Sequence, residues 1–383
     1  MKTYVEINER IRQKKAVVYT AEEVIDLVRS KGAEKAAEKV DVVTTGTFGA
    51  MCSSGAFLNF GHSDPPIRMT DVRLNGVEAY GGLAAVDTYI GATATRENGG
   101  EFGYGGGHVI EELIAGNRVR LRAWGPGTDC YVRKDIDTYI TLDDINEAYL
   151  FNPRNCYQNY ASATNTLDRT LYTYMGKLLP RMKNVTYSTS GQLSPLLNDP
   201  HLETIGGGTR IFLGGGEGYV AWQGTQYNIN APERNGVPTS GARTLALIGD
   251  MKQMDREYVR GMEMYRYGTS LAIGVGIPIP ILNADVMKRA AISDEELYTN
   301  LVDYSVTEKS RAILGQYSYA ELRSGSIDHE GHKIRTSPLS SYRKARQVAE
   351  KLKDWIENGE FLLTEPTFKL PTSGEVKPLE VRR

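Results

Sequence analysis

Forty of the 383 residues are glycine, roughly a tenth of the chain against about 7 % in average usage. They stand in clusters, among them Gly105-Gly106-Gly107 and Gly214-Gly215-Gly216, and follow no fixed period. Collagen-like and low-complexity readings therefore fail. A glycine lacks a Cβ, so such clusters mark places where backbone turns sharply or approaches a ligand closely. Between residues 46 and 107 the pattern is loops and short strands. Helical stretches interrupt this pattern elsewhere. Short strands mixed with helices predict an α/β or α+β layered fold, one catalytic unit with a mixed sheet and flanking helices.

Local signals place several elements. Residues 4–14 read as a helix and 16–19 as a strand. Thr20 and Glu23 form a capping box that starts a helix with Val24, Leu27 and Val28 on its apolar face. A further helix over 33–39 leads into the strand-like run 41–45. Another is expected over 108–115, between the glycine triplet and Gly116, followed by a strand over 119–123. Strands over 210–213 and 219–222 flank the second triplet. Tyr342, Ala345, Val348, Leu352, Trp355 and Ile356 recur at three- and four-residue spacing, predicting a helix over 341–358 that Gly359 stops. The catalytic unit is taken as residues 1–365, with a polar tail over 366–383 that is loosely held or draped on the surface.

The balance of 45 basic and 47 acidic residues, net charge −2, leaves no excess to drive binding to nucleic acid. The opening MKTYVEINERIRQKK lacks the apolar segment of a secretory signal. The most apolar stretch, Thr269 to Leu282, has 14 residues broken by Gly and Pro, too short to span a bilayer. Three cysteines, an odd number, argue against a disulfide framework and for a reducing, cytoplasmic setting.

Those cysteines are the first candidates for chemistry. Cys52 lies in GTFGAMCSSG and Cys130 in WGPGTDCY, both loops of small and polar residues after strands. Backbone N–H groups there could stabilise a thiolate, which an ordinary thiol forms only to a few per cent at pH 7. Simple packing explains each cysteine equally well. Cys156, in NPRNCY, is the weaker candidate. His62, ten residues past Cys52, could be its base or a loop histidine bonded to backbone. His108, with Gly106 and Gly107, opens a helix whose free amides could take an anion; a plain turn explains the same residues. His329 and His332 lack a third ligand nearby, so no metal is assigned. Phosphate-loop and nucleophile-elbow motifs are absent, and GEGYVA over 216–221 is a poor dinucleotide fingerprint.

The stretch DVVTTGTFGAMCSSGAFLNFGHSDPP closely resembles the homocysteine-biosynthesis enzymes of methanogens and anaerobic bacteria. The resemblance continues through GGGHVIEELIAGNRV, GTDCY, YITLDDINEAYLFNPRN, TYSTSGQLSPLLNDP, GTRIFLGGGEGYVAWQGTQ and SPLSSYRKAR, over roughly residues 3–370. It implies an L-aspartate semialdehyde sulfurtransferase activity, making homocysteine from the semialdehyde and inorganic sulfur. It also implies functional cysteines at Cys52 and Cys130, the latter as persulfide carrier. A hypothetical cycle has hydrosulfide open a Cys52–Cys130 disulfide, the terminal sulfur add to the aldehyde, and Cys52 release product by re-forming the disulfide, which the partner reduces. No cofactor is expected to be tightly bound. Two electrons are expected from a separate ferredoxin-like donor protein, since the chain carries no CBS or ferredoxin domain of the kind some relatives append. A homo-oligomer stays open. By residue type, the 105–108 turn, Arg122 or Arg154 would hold the substrate carboxylate, Asp129 or Asp64 its ammonium, and His62 would move protons. Two rival readings remain: a nucleotide-dependent oxidoreductase or ligase using the glycine loops, and a persulfide carrier without turnover.

Overall fold

A strand such as Val119–Trp124 shows how the main sheet arises: Val119, Leu121 and Ala123 are buried while Arg120 and Trp124 face solvent. The computed structural model describes residues 1–96, 103–308 and 310–382. Within it, thirteen strands pair into one antiparallel sheet. Its order runs Val259–Met264, Gly268–Gly276, Arg210–Leu213, Gly216–Gln223, Leu245–Asp250, Glu147–Asn155, Gly55–Asn59, Asp87–Gly91, Val77–Tyr80, Asp71–Leu74, Val119–Trp124 and Asp135–Ile140. Thr47–Ala50 pairs with Gly268–Gly276 off this path. The mixed character expected from sequence resides in a six-stranded sheet, where Ser162–Thr164 runs parallel to Tyr298–Asp303 and Asn184–Tyr187 parallel to His332–Pro338. A three-stranded mixed sheet joins Val18–Thr20, Val42–Thr44 and Pro278–Pro280.

Two helices dock on the large sheet, and glycines set how closely. Tyr342–Glu357, capped by Ser341, buries Ala345, Val348, Ala349, Leu352 and Ile356. A Cβ on Gly46 would lie 2.1 Å from the Ala345 carbonyl oxygen, and one on Gly274 or Gly276 would lie 2.9 Å from Val348. The helix Gly106–Ile114 buries Val109, Ile110 and Leu113. A Cβ on Gly106 would meet the Gly91 carbonyl oxygen at 1.9 Å, and one on Gly107 the Ser270 carbonyl oxygen at 2.1 Å. The first triplet thus lets a helix start press onto two strands. In the second, Gly214 and Gly215 have φ of 61° and 98° and turn Arg210–Leu213 into Gly216–Gln223. Both triplets serve chain packing and turning.

The capping box is present: Glu23 N donates to Thr20 Oγ1 at 3.2 Å, and Thr20 N to the Glu23 carboxylate at 2.7 Å. The first helix is shorter than expected, Tyr4–Arg12, because Lys14 takes φ of 56°. The apolar stretch from Thr269 supplies buried strand, and no helix among the described residues is long and apolar enough to cross a membrane. His329 and His332 face each other across a hairpin, with Tyr317 Oη 2.8 Å from His329 Nδ1. The start of the tail is draped on the body, the second of the two arrangements its composition allows. Phe368 packs on Trp222 with ring centroids 4.7 Å apart, its carbonyl accepts from Gly207 N, and Leu370 is buried.

Candidate active site

Cys52 occupies the corner where the chain leaves Thr47–Ala50 and enters Gly55–Asn59. Met51 N donates to the Leu271 carbonyl at 2.7 Å, and Ser54 N closes a turn on Met51 O at 3.0 Å. The thiol is half-buried, with the Ser270 hydroxyl donating to Sγ at 2.9 Å and Met264 Sδ at 4.0 Å. Burial pushes this thiol upward in pKa; the Ser270 hydrogen bond, its own backbone amide and the charge of Arg154 oppose that push without overcoming it.

Across from Cys52, the strand Glu147–Asn155 loses its regular register with Leu245–Asp250 between Asn152 and Asn155. Irregular pairing of this kind re-aims side chains beside active sites. Here Arg154 Nε donates to Ser53 Oγ at 3.3 Å, and Asn152 Nδ2 donates to Ser54 Oγ at 2.9 Å. The terminal guanidinium nitrogens of Arg154 have no hydrogen bond or ion pair among the described residues. Cys156 follows with φ of 49°, fully buried, its thiol pushed up to about 12 by burial alone.

These residues line a cavity of about 430 Å³ at the junction of the large and six-stranded sheets. Its wall includes Cys52, Ser53, Arg154, Asn155 and Cys156. Tyr157, Tyr160, Tyr174 and Tyr267, with Ser188, Thr189 and Ser340, are also part of it. Arg154 is the sole residue of formal charge at neutral pH among the lining residues; no aspartate or glutamate is among them. A nucleophilic or leaving sulfur, one cation for an anionic group and a mostly uncharged wall define a thiol-chemistry site.

Cys130 is elsewhere. It is exposed in the loop joining Val119–Trp124 to Asp135–Ile140, beside Asp129, which is also exposed. His62 stacks on Tyr131 with ring centroids 5.9 Å apart, and Arg133 donates to the Asp64 carbonyl at 2.7 Å. The 61–66 and 125–134 loops therefore form one surface corner holding His62, Asp64, Asp129 and Cys130. Successive antiparallel pairings run from Gly55–Asn59 to Val119–Trp124, four strand steps or about 19 Å across the sheet. Cys52 precedes the first of these strands and Cys130 follows the last, at the opposite end. All three cysteines are free thiols. His62 lies past the far end of Gly55–Asn59, about 17 Å of strand from Cys52, and so sits with Cys130 instead.

The 105–108 turn offers no free amides to a carboxylate. Gly106 N, Gly107 N and His108 N donate to the carbonyls of Ala94, Ala92 and Gly105 at 2.8, 3.0 and 3.0 Å. His108 Nδ1 accepts from Gly105 N, its ring stacks on Tyr104, and burial lowers its pKa. Arg122 lies over the Trp124 ring on the Val119–Trp124 strand, outside the cavity. Of the proposed carboxylate partners, Arg154 alone lines it. Sequence reasoning passed over the tyrosines and Asn155; the available signal was an excess of 23 Tyr over 8 Phe, several of them within residues 157–174.

Residues 16–363 match the family described as "Homocysteine biosynthesis enzyme, sulfur-incorporation", and the chain belongs to that family. A protein of Methanosarcina acetivorans named L-aspartate semialdehyde sulfurtransferase is 51 % identical over 98 % of this chain and 73 % of its own length. One of the same name from Methanocaldococcus jannaschii is 52 % identical over 99 % of this chain and 75 % of its own. A more distant relative from Methanothermobacter thermautotrophicus is 28 % identical over 89 % of this chain. No solved structure matches the chain.

Proposed function

We propose that this chain makes L-homocysteine from L-aspartate 4-semialdehyde, with hydrogen sulfide as sulfur source and two electrons from a separate ferredoxin-like protein. The overall balance is semialdehyde plus hydrogen sulfide plus two electrons and two protons, giving homocysteine and water. The observation that carries the reading is the half-buried Cys52 thiol in a cavity whose one formal charge is Arg154. The names borne by relatives half identical to it over nearly its full length point the same way.

Arg154 would receive the substrate carboxylate through its two unpaired terminal nitrogens, a planar fork that suits that group. This sets the aldehyde beside Cys52. Sulfur would load when hydrosulfide attacks a Cys52–Cys130 disulfide, the two-electron oxidant of the step, leaving a persulfide on exposed Cys130 and a thiolate on Cys52. The 125–134 loop would then carry the outer sulfur to the aldehyde carbon. Attack there forms a C–S bond and leaves the carbonyl oxygen as a hydroxyl. Cys52 thiolate attacks the inner sulfur, giving a Cys52–Cys130 disulfide and a thiohemiacetal. Loss of water yields the thioaldehyde, which the external donor reduces to the thiol. A further hydrosulfide opens the disulfide and reloads Cys130. The loading step is tested by intact-protein mass after sulfide treatment of the oxidised protein: one added sulfur that disappears in Cys130→Ala supports it, and sulfur retained there contradicts it.

A further inference from the structure

The cavity has a cation for a carboxylate but no carboxylate for an ammonium, although an α-amino acid carries both charges. From the tyrosines that line the cavity, we infer that the site receives a zwitterionic α-amino acid, its ammonium held by a cage of tyrosine rings, Tyr157, Tyr160, Tyr174 and Tyr267, and its carboxylate shared between Arg154 and Asn155. The inference rests on the proposed reading that an amino-acid aldehyde binds beside Cys52, and it names how the amino-acid end is recognised.

Three observations carry it. The four rings form a continuous edge-to-face wall. Tyr157 and Tyr160 have centroids 4.9 Å apart at 73°, Tyr160 and Tyr174 6.3 Å apart at 78°, and Tyr174 and Tyr267 6.1 Å apart at 68°. All four rings line the cavity, and a tyrosine π face attracts an ammonium without a counter-charge. Second, Asn155 is 1 % exposed and lines the cavity, yet its Nδ2 has no hydrogen-bond partner. Its Oδ1 is already taken by Cys156 N, so the unused group is a donor, which suits an anionic oxygen. An orphaned buried donor in a wall is explained by a ligand acceptor. Third, the cage adjoins both the cation and the sulfur. Tyr157 lies within electrostatic reach of Arg154 and Cys52, and Tyr267 within reach of Cys52. Asp64 and Asp129, the acidic residues favoured by residue type, lie on the distant loop corner. The tyrosines therefore replace them in this role.

The test uses calorimetric titration of the full chain with L-homoserine and with 4-hydroxybutanoate, an inert pair differing by the amino group. The expected result is roughly tenfold tighter binding of homoserine, the factor that one desolvated cation–π contact supplies. Tyr174→Leu should erase that preference, read as the ratio of the two affinities, and Tyr174→Phe, which keeps the ring, should retain it. Tyr267→Leu, at the exposed mouth and tolerant of change, should reduce the preference severalfold. Asn155→Leu should weaken both ligands alike. Equal affinity for the two ligands, absence of homoserine binding, or equal losses in the Phe and Leu variants would each overturn the inference. Selective homoserine binding in a protein that forms no homocysteine would leave the cage standing and remove the proposed reaction.

Discussion

At Cys52 the desolvation of a sulfur anion outweighs one hydroxyl donor, a backbone amide and a guanidinium. A raised pKa means that the thiolate fraction at pH 7 is below that of a free thiol and grows as pH rises. Alkylation of Cys52, followed by peptide mass, should therefore accelerate through a midpoint above about 8.5, the ordinary thiol value. Arg154→Gln removes a charge that favours the thiolate and should shift this midpoint further up. The same variant should lower kcat/KM for the semialdehyde by about 10- to 100-fold, the scale of a lost charged hydrogen bond; an unchanged value would remove Arg154 from substrate binding. Cys156 shares the cavity, but its thiol is pushed up to about 12 and stays protonated. Cys156→Ala should accordingly keep turnover, whereas Cys52→Ala should lose it.

The elements around the site are held by backbone contact as much as by apolar packing. Gly107 packs on the carbonyl of Ser270, the residue whose hydroxyl bonds Cys52. Gly107→Ala should cost about 1–3 kcal/mol, as overpacking does, and also disturb Cys52 alkylation. Gly116→Ala, at φ of 74° with open space around it, should lower Tm without touching that rate. The helix Tyr342–Glu357 was legible because its apolar spacing is intrinsic to the segment. The triplet 105–107 reads from sequence as a turn or a ligand approach, whereas it packs on strand backbone, because Gly91 and Ser270 are remote in sequence. Cys52 was legible from its loop and its family motif. Asn155 was not, because its significance is an unmet hydrogen bond that only the fold creates. Strand order was equally hidden: antiparallel pairing of Gly55–Asn59 with Glu147–Asn155 is a long-range choice no local pattern encodes.

Across the whole molecule, the two cysteines singled out by motif lie beyond opposite strand ends of one sheet, four strand steps apart, one in a cavity and one at the surface. The family motif carries chemical identity but not distance. A short bismaleimide should therefore fail to join Cys52 and Cys130 in the resting protein. Under oxidising conditions a Cys52–Cys130 disulfide, read by peptide mass, should form if the 125–134 loop carries sulfur as proposed; bismaleimide crosslinking at rest would contradict the separation. Above all, sulfur must reach an aldehyde in the Cys52 cavity. The most direct measurement is product analysis of the purified chain with L-aspartate semialdehyde, sulfide and a low-potential reductant, beside Cys52→Ala. Homocysteine formed by the first and absent with the second is the predicted result. Homocysteine at equal rates from both, or none from the unmodified chain under reducing conditions, would contradict it.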